Sequence, residues 1–192
     1  MSARTGQLIQ LRPVAVVDDL GDEALAAACA TGDRTAQALL FERHVDSMHR
    51  FISRMCPLDR AAVDDLVQAT FLAAFQNAGQ VRGPSLRSWL YGVAANVVRT
   101  YIRKEVARRR VVAALTDEPL PAAAEPADAD VRKLRVAIAA LSPKLREVLV
   151  LVDLEGERGT DVATLLGIPD GTVWRRLSDA RQQLRAALGA EP

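Results

Sequence analysis

Between two runs of helical periodicity the chain reads Leu166-Gly167-Ile168-Pro169-Asp170, and this pentad constrains the fold more than any other feature. Glycine supplies the left-handed residue that ends one helix. Proline followed by an acid suits the first turn of the next, where the macrodipole is positive. Upstream, Ser142-Pro143 opens a helix as N-cap and first-turn proline, with Leu145, Val148, Leu149 and Val152 as its buried stripe. A short helix is then expected over about Thr160–Leu166, with Ala163 small where two helices cross and Ile168 plugging the core below the turn. The second helix buries Val173, Leu177, Ala180, Leu184 and Leu188 at three- and four-residue spacing. Its outward face carries Thr172, Trp174, Arg175, Ser178, Asp179 and Gln182. Short helix, glycine turn, apolar plug and a second helix with exposed arginine together describe a DNA-binding helix-turn-helix, whose second helix enters the major groove. Arg175 suits a guanine edge, Trp174 a thymine methyl or sugar, and Arg176 and Arg181 suit phosphates. A hairpin that only packs or dimerises is the alternative, and the co-occurrence of the four features weighs against it.

The rest of the chain is also helical in pattern. Residues 1–21 have no period and read as an N-terminal arm. From 22 to 110 the pattern predicts helices over about Arg34–Met55, Asp59–Asn77 and Ser85–Arg108. The first buries Leu40, Phe41, Val45, Met48, Phe51, Ile52 and Met55. The second buries Val63, Leu66, Val67, Phe71, Ala74 and Phe75, and its other side presents Asp65, Gln68, Ala69 and Leu72. That polar stripe with a leucine in it is either a solvated face or a seam for a partner helix. The third helix turns Leu86, Leu90, Val93, Ala94, Val97 and Tyr101 inward and sets Asn96, Arg99 and Arg103 on the opposite side. Lys104 and the Arg108–Arg110 run extend the positive charge, which suits a helix C-terminus but suits nucleic acid better. The Gly79–Pro84 loop beside this face is either a receptacle for an unstacked base or a plain connection without a role. Residues 111–130 are rich in Ala, Pro, Asp and Glu and contain Pro119, Pro121 and Pro126, the composition of a flexible acidic linker. Helical periodicity returns over 131–192. The fold class is therefore all-α: two small helical domains joined by that linker, the second a helix-turn-helix.

Several classes of function are excluded. The net charge of +1 hides a basic block followed by an acidic one, so the basic face still attracts phosphate locally. No nucleophile–base set, phosphate loop or metal cluster occurs, so no enzyme, cofactor or metal is expected. Cys29 and Cys56 lack ligand spacing and read as apolar core residues, and His44 and His49 as structural or solvated. No run of about twenty apolar residues or leader pattern appears, so no membrane insertion and a cytoplasmic location are expected.

With these segments in hand, the chain over 22–188 resembles the small two-domain sigma factors of bacterial RNA polymerase, the extracytoplasmic-function (ECF) group. "DDLVQATFLAAF" (Asp64–Phe75) is similar to the family's polymerase-clamp-binding helix, "SLRSWLYGVAANVVRTYIRK" (Ser85–Lys104) to its promoter-melting helix, and "LSPKLREVLVLVDLEG" with "VATLLGIPDGTVWRRLSDAR" to its second DNA-binding domain. The resemblance implies that 22–110 binds core polymerase and melts promoters, and that 131–192 reads the upstream element. It implies that Asp65, Gln68 and Leu72 dock on the clamp coiled coil of the largest subunit. Asn96, Arg99, Arg103 and Lys104 would engage the melted minus-ten element. Thr172, Trp174, Arg175, Arg176, Ser178 and Asp179 would face the minus-thirty-five element. The implied partners are core polymerase, including the flap of its second-largest subunit, promoter DNA and, by family habit, an anti-sigma factor. The chain departs from the family's pattern where an acid is usual at Ala69, aspartate at Thr100, Leu-Ser-Tyr at Glu157–Gly159, and a basic residue at Trp174 and Asp179. Asp179 also lies at helical spacing from Arg175 and Arg176 and is expected to restrain them.

The leading functional expectation is a dissociable promoter-specificity subunit that works by differential binding, holding single-stranded promoter DNA better than duplex. Two alternatives stand beside it. One is a free-standing helix-turn-helix regulator, and the other a sigma-like adaptor acting through protein contacts alone.

Overall fold

The computed structural model describes residues 20–56, 58–81, 85–113 and 129–189. Among these there are helices and no strand, so the all-α expectation holds. The helices are α1 (Asp22–Ala30), α2 (Arg34–Met55), α3 (Arg60–Asn77), α4 (Leu86–Ala113), α5 (Ala129–Ala140), α6 (Pro143–Leu149), α7 (Gly159–Leu166) and α8 (Asp170–Leu188). A 3-10 turn, Ala78–Gln80, follows α3, and a π-helical turn, Val150–Leu154, extends α6. Most of the N-terminal arm, Arg82–Pro84 of the loop and the bulk of the acidic segment lie outside the described residues.

Helix ends follow their capping chemistry. Asp33 accepts from the Thr35 and Ala36 amides at the start of α2, and Asp59 from the Ala62 amide at the start of α3. The start of α4 is capped from a distance, because Leu86 N donates to Asp22 Oδ2 of α1 at 2.9 Å. Ser142 does precede α6 with Pro143 in its first turn, but its hydroxyl makes no capping bond. Gly167 ends α7 at φ 64°, the left-handed value the pentad requires, and Pro169 leads into α8.

The four N-terminal helices pack around Phe51, Ile52, Met48, Leu40, Phe71 and Leu90, all essentially without solvent contact. Phe41 departs from expectation: it is 41% exposed and lies tilted against Phe71, their centroids 4.8 Å apart. The C-terminal helices pack around Val148, Leu151, Val162, Val173, Leu177 and Ala180, whereas Leu188, expected inside, is exposed at the end of α8, beyond the last packed turn.

The two halves are not held apart. Their apolar residues form one continuous cluster. The buried face of α4 is therefore wider than its leucine–valine stripe predicts. Tyr91, Ala95 and Val98 are fully buried, whereas Val93, Val97 and Tyr101 are only half-buried. Phe51 of α2 packs at a tilt against Tyr91, ring centroids 5.1 Å apart. Gly92 brings α4 close to α7, where a Cβ would stand 3.2 Å from Leu165 Cγ.

The joint between the halves is polar as well as apolar. Arg146 of α6 is only 8% exposed and faces no carboxylate. Its guanidinium donates to the carbonyls of Ile138 (3.0 Å), Leu141 (3.0 Å), Ala139 and, across the joint, Met55 (2.7 Å). Those oxygens end α5 and α2, where helices leave acceptors unpaired. One arginine thus caps two helix C-termini at once. Burial pulls its pKa down from the free value.

Candidate polymerase and nucleic-acid interfaces

The outward stripe of α3 forms because its other side is fully engaged. Val63, Leu66, Val67, Thr70, Phe71 and Ala74 are buried, which leaves Asp65, Gln68 and Leu72 on the solvent side. Leu72 is 55% exposed. An exposed leucine flanked by an acid and an amide on one helical face has the form of a helix-docking seam. Ala69 lies half-buried between them.

On α4, Asn96, Arg103 and Lys104 are exposed as expected. They are linked along the helix: Arg99 Nη2 donates to Asn96 Oδ1 at 2.8 Å, and Arg103 Nη2 to Thr100 Oγ1 at 3.3 Å. Arg99 differs from its neighbours. It is half-buried, and its Nε lies 3.4 Å from Glu147 Oε1 of α6. Glu147 is buried, and that oxygen lacks an aligned hydrogen-bond donor. Desolvation raises the Glu147 pKa above the ordinary carboxylate value, opposed by Arg99 and by Arg176 of α8. A single buried acid is therefore coupled to one arginine from each predicted DNA face. The side chains of Arg109 and Arg110 lie outside the described residues.

On α8, Trp174, Arg175, Ser178, Asp179 and Gln182 are exposed, and Thr172 and Arg176 are half-buried. Two details correct the sequence reading. Asp179 makes no ion pair with Arg175 or Arg176 among the described residues, so it does not restrain them. Arg181, expected to meet phosphate, is instead held by Asp153 in a two-pronged pair of 2.9 and 2.6 Å. Trp174 leans toward the start of α7, where Gly159 is buried beneath its six-membered ring.

The turn that replaces the usual start of the motif carries residues that sequence reasoning missed. Glu155 accepts from Tyr91 Oη at 2.7 Å and from Arg54 Nη1 at 2.5 Å. Glu157 accepts from Ser88 Oγ and lies 3.5 Å from Arg87 Nε. Arg87 Nη2 also donates to the Glu155 carbonyl at 2.6 Å. Burial and the bond to Glu155 push the Tyr91 hydroxyl pKa up. Glu155 and Glu157 thus tie the helix-turn-helix to α2 and α4. The only forewarning in the sequence was that Glu157 departs from the usual pattern.

Neither cysteine pairs. Both are buried, and burial pushes the Cys56 thiol up to about 11. No group of His, Cys, Asp and Glu among the described residues could hold a metal ion. No helix among them is long and apolar enough to cross a membrane.

Comparison with known proteins bears on these faces. Residues 40–109 match the family model "Sigma-70 region 2", and residues 132–184 match "Sigma-70, region 4". The chain is 32% identical over 170 residues to the ECF RNA polymerase sigma factor SigM of Mycobacterium tuberculosis, spanning 88% of this chain and 85% of that protein. It is 35% identical over 156 residues to the RNA polymerase sigma factor CarQ of Myxococcus xanthus, covering 78% and 87%. Its fold is similar to that of the sigma factor RpoE solved with the anti-sigma factor NepR from Bartonella quintana, with TM-score 0.69, 23% identity and coverage of 81% and 98%. It is also similar to CnrH solved with the cytosolic domain of CnrY, with TM-score 0.64, 27% identity and coverage of 89% and 99%.

Proposed function

Because this chain belongs to the extracytoplasmic-function sigma factors, alternative sigma factors that direct RNA polymerase in transcription initiation, we propose a division of that work among its three exposed faces. The α3 stripe of Asp65, Gln68 and Leu72 docks on the clamp coiled coil of the largest polymerase subunit. Asn96, Arg99, Arg103 and Lys104 on α4 hold the melted minus-ten strand. Thr172, Trp174, Arg175, Arg176, Ser178 and Asp179 on α8 read the minus-thirty-five element. We place the functional units at 22–110 and 131–192, with 111–130 as the tether between them, and the protein in the cytoplasm.

The observation that carries this reading is the exposure of Leu72 beside Asp65 and Gln68 on a helix whose opposite side packs on the core. A regulator that needs only duplex DNA has no use for that seam. The apolar groove lined by Leu134, Ile138, Leu149, Leu154 and Leu184 is the corresponding unfilled surface of the C-terminal half. We assign it to the flap of the second-largest subunit. An anti-sigma factor that covered these surfaces would compete with polymerase; RpoE was solved with the anti-sigma factor NepR, and CnrH with the cytosolic domain of CnrY.

The chain performs no covalent step in this scheme. It acts by binding one state of DNA better than another. Bases unstacked from the duplex find Asn and Arg partners on α4, and this offsets the cost of unpairing them. Arg99 reaches DNA only by exchanging Glu147 for phosphate, so the two halves must separate at that point when promoter DNA is engaged.

Transcription with core polymerase on a random promoter library tests the proposal. Wild type is expected to give promoter-dependent transcripts. Leu72→Glu or Asp65→Arg is expected to abolish binding to core polymerase, and Arg175→Ala to abolish upstream selectivity while core binding persists. Full core binding by the Leu72→Glu and Asp65→Arg variants would remove the clamp assignment. Tight, selective operator binding by the chain without polymerase would favour the regulator.

A further inference from the structure

Gly159 and Trp174 each stand where the family pattern has another residue, and the structure places one on the other. An ideal Cβ built on Gly159 would lie 2.6 Å from Trp174 Cζ2 and 3.1 Å from both Cε2 and Cη2. Real Cβ atoms do not approach so closely, so any side chain at 159 must expel the indole. The backbone itself makes no such demand. Gly159 is not among the glycines with positive φ, which are Gly32, Gly156, Gly167 and Gly189. It is the first residue of α7, where other residue types are accommodated freely. What excludes a side chain at 159 is the tryptophan.

Trp174 in turn lies four residues into α8, in the turn that enters the major groove in a helix-turn-helix. It remains 53% exposed. One edge of the indole is packed on buried Gly159, and the rest of the residue is open to solvent. A tryptophan swinging free on a helix surface would lose its rotamer freedom on meeting DNA. One already seated has lost it on folding, so its contact area counts more fully toward binding. An aromatic plane has no donor or acceptor pattern on its face. In the major groove its natural complement is the C5-methyl of thymine, the apolar feature that a base pair displays there.

We propose that Gly159 is a positioning residue for promoter selectivity: it seats the Trp174 indole across the start of α7, so that α8 presents a fixed apolar plane to a thymine methyl in the upstream element. The inference rests on the reading of α8 as the minus-thirty-five helix. It adds a residue on the other helix of the motif and names the group being read.

The test uses holoenzyme assembled from core polymerase and full-length wild type, Gly159→Ala, Trp174→Ala, the Gly159→Ala/Trp174→Ala double variant, and Arg175→Ala. Each is measured on promoters selected by wild type from a random library. Each thymine of the upstream element is replaced in turn by deoxyuridine, which removes only the methyl group. At one position wild type is expected to lose about fivefold in promoter binding on losing the methyl. Gly159→Ala and Trp174→Ala should be indifferent to it. In the Trp174→Ala background the added Gly159→Ala should change selectivity by less than about twofold, since the indole it displaces is gone. Trp174→Ala and the double variant contain no steric conflict, so the test stands even if Gly159→Ala alone folds poorly. Three results would overturn the inference: methyl preference intact in Gly159→Ala, methyl preference intact in Trp174→Ala, or an undiminished effect of Gly159→Ala when Trp174 is absent. If wild type shows upstream selectivity that Arg175→Ala removes but no methyl effect, this inference fails and the reading of α8 survives. If wild type shows no upstream selectivity at all, both fail.

Discussion

Arg146→Met is the perturbation whose size the structure fixes best. Methionine retains an unbranched apolar stem, so packing volume changes little. What disappears is the guanidinium that reaches the carbonyls of Met55, Ile138, Ala139 and Leu141. Hydrogen bonds to a charged group contribute about 1.5–3 kcal/mol each, so the gross loss is on the order of 6–12 kcal/mol. Two effects reduce it. The methionine variant buries no ion, which relieves several kcal/mol of desolvation. Each carbonyl also keeps some access to relaxed geometry or to an entering water. The remainder, about 3–5 kcal/mol, is in the range for breaking a buried charged network from one side.

At roughly 2–4 °C per kcal/mol for a chain of this size, the melting temperature should fall by about 10 °C. Thermal melts and urea titrations followed by far-ultraviolet circular dichroism measure it directly. Arg146→Lys should recover little of the loss, because a single ammonium cannot fork toward the ends of α2 and α5 together. Arg181→Gln provides the contrast. Its pair with Asp153 is as well formed but half-exposed, and its removal should cost less than about 1 kcal/mol. If Arg146→Met melts within about 2 °C of wild type, the idea that one arginine caps two helices across the joint is wrong.

Three further outcomes are expected. Burial raises the folded-state pKa of Glu147, so the folded chain holds that proton more tightly than the unfolded one. Stability from this group is present at low pH and is lost as pH rises through the raised value. Glu147→Gln should therefore melt higher than wild type at neutral pH, with the gap closing near about pH 4, and melts across that range that show the opposite trend would contradict the sign. With its thiol pushed up to about 11 and its side chain buried, Cys56 should react with a disulfide reagent only as fast as the chain opens, and a rate matching a free thiol would count against this. Gly167→Ala, at φ 64°, should destabilise by about 1 kcal/mol, while Gly171→Ala, in open space within α8 at an ordinary φ, should stabilise by about 0.5–1 kcal/mol in urea titrations.

Local chemistry made much of this molecule legible before any coordinates. The Leu166–Asp170 pentad placed the turn, Gly167 adopts the conformation it demanded, and the bounds of α2 and α3 fall within a residue of those the periodicity predicts. The α3 stripe was legible because one helical face suffices to define it. The joint was not. Arg146 acts on backbone carbonyls, which every residue has, so its partners carry no signature in the sequence. Glu155 and Tyr91 are 64 positions apart, and Arg54 and Glu155 are 101 apart. No periodicity connects residues so distant. The inward face of α4 was read too narrowly for the same reason: its predicted stripe does pack on the core, while Tyr91 is buried with a bond to Glu155 of a turn that the stripe says nothing about.

The same joint accounts for why this chain should depend on polymerase for its hold on DNA. Several of its cations are already matched: Arg54 with Glu155, Arg87 with Glu157, Arg181 with Asp153, and Arg99 with Glu147. Arg176 lies close enough to Glu147 to lower its pKa. On the proposed DNA faces, Arg103, Lys104 and Arg175 remain without a carboxylate partner among the described residues. So few free phosphate-seeking charges among the described residues of these faces, on a chain of net charge +1, favour weak counterion-driven affinity. Parting the halves at Glu147 frees Arg99 and removes the acid that faces Arg176, which raises the positive field at both faces together. The proposed DNA faces of α4 and α8 are then linked by one electrostatic cause. The ion pairs that occupy these arginines are the ones that keep the isolated chain a poor DNA-binding protein, and a free-standing regulator would have no reason to neutralise its own arginines.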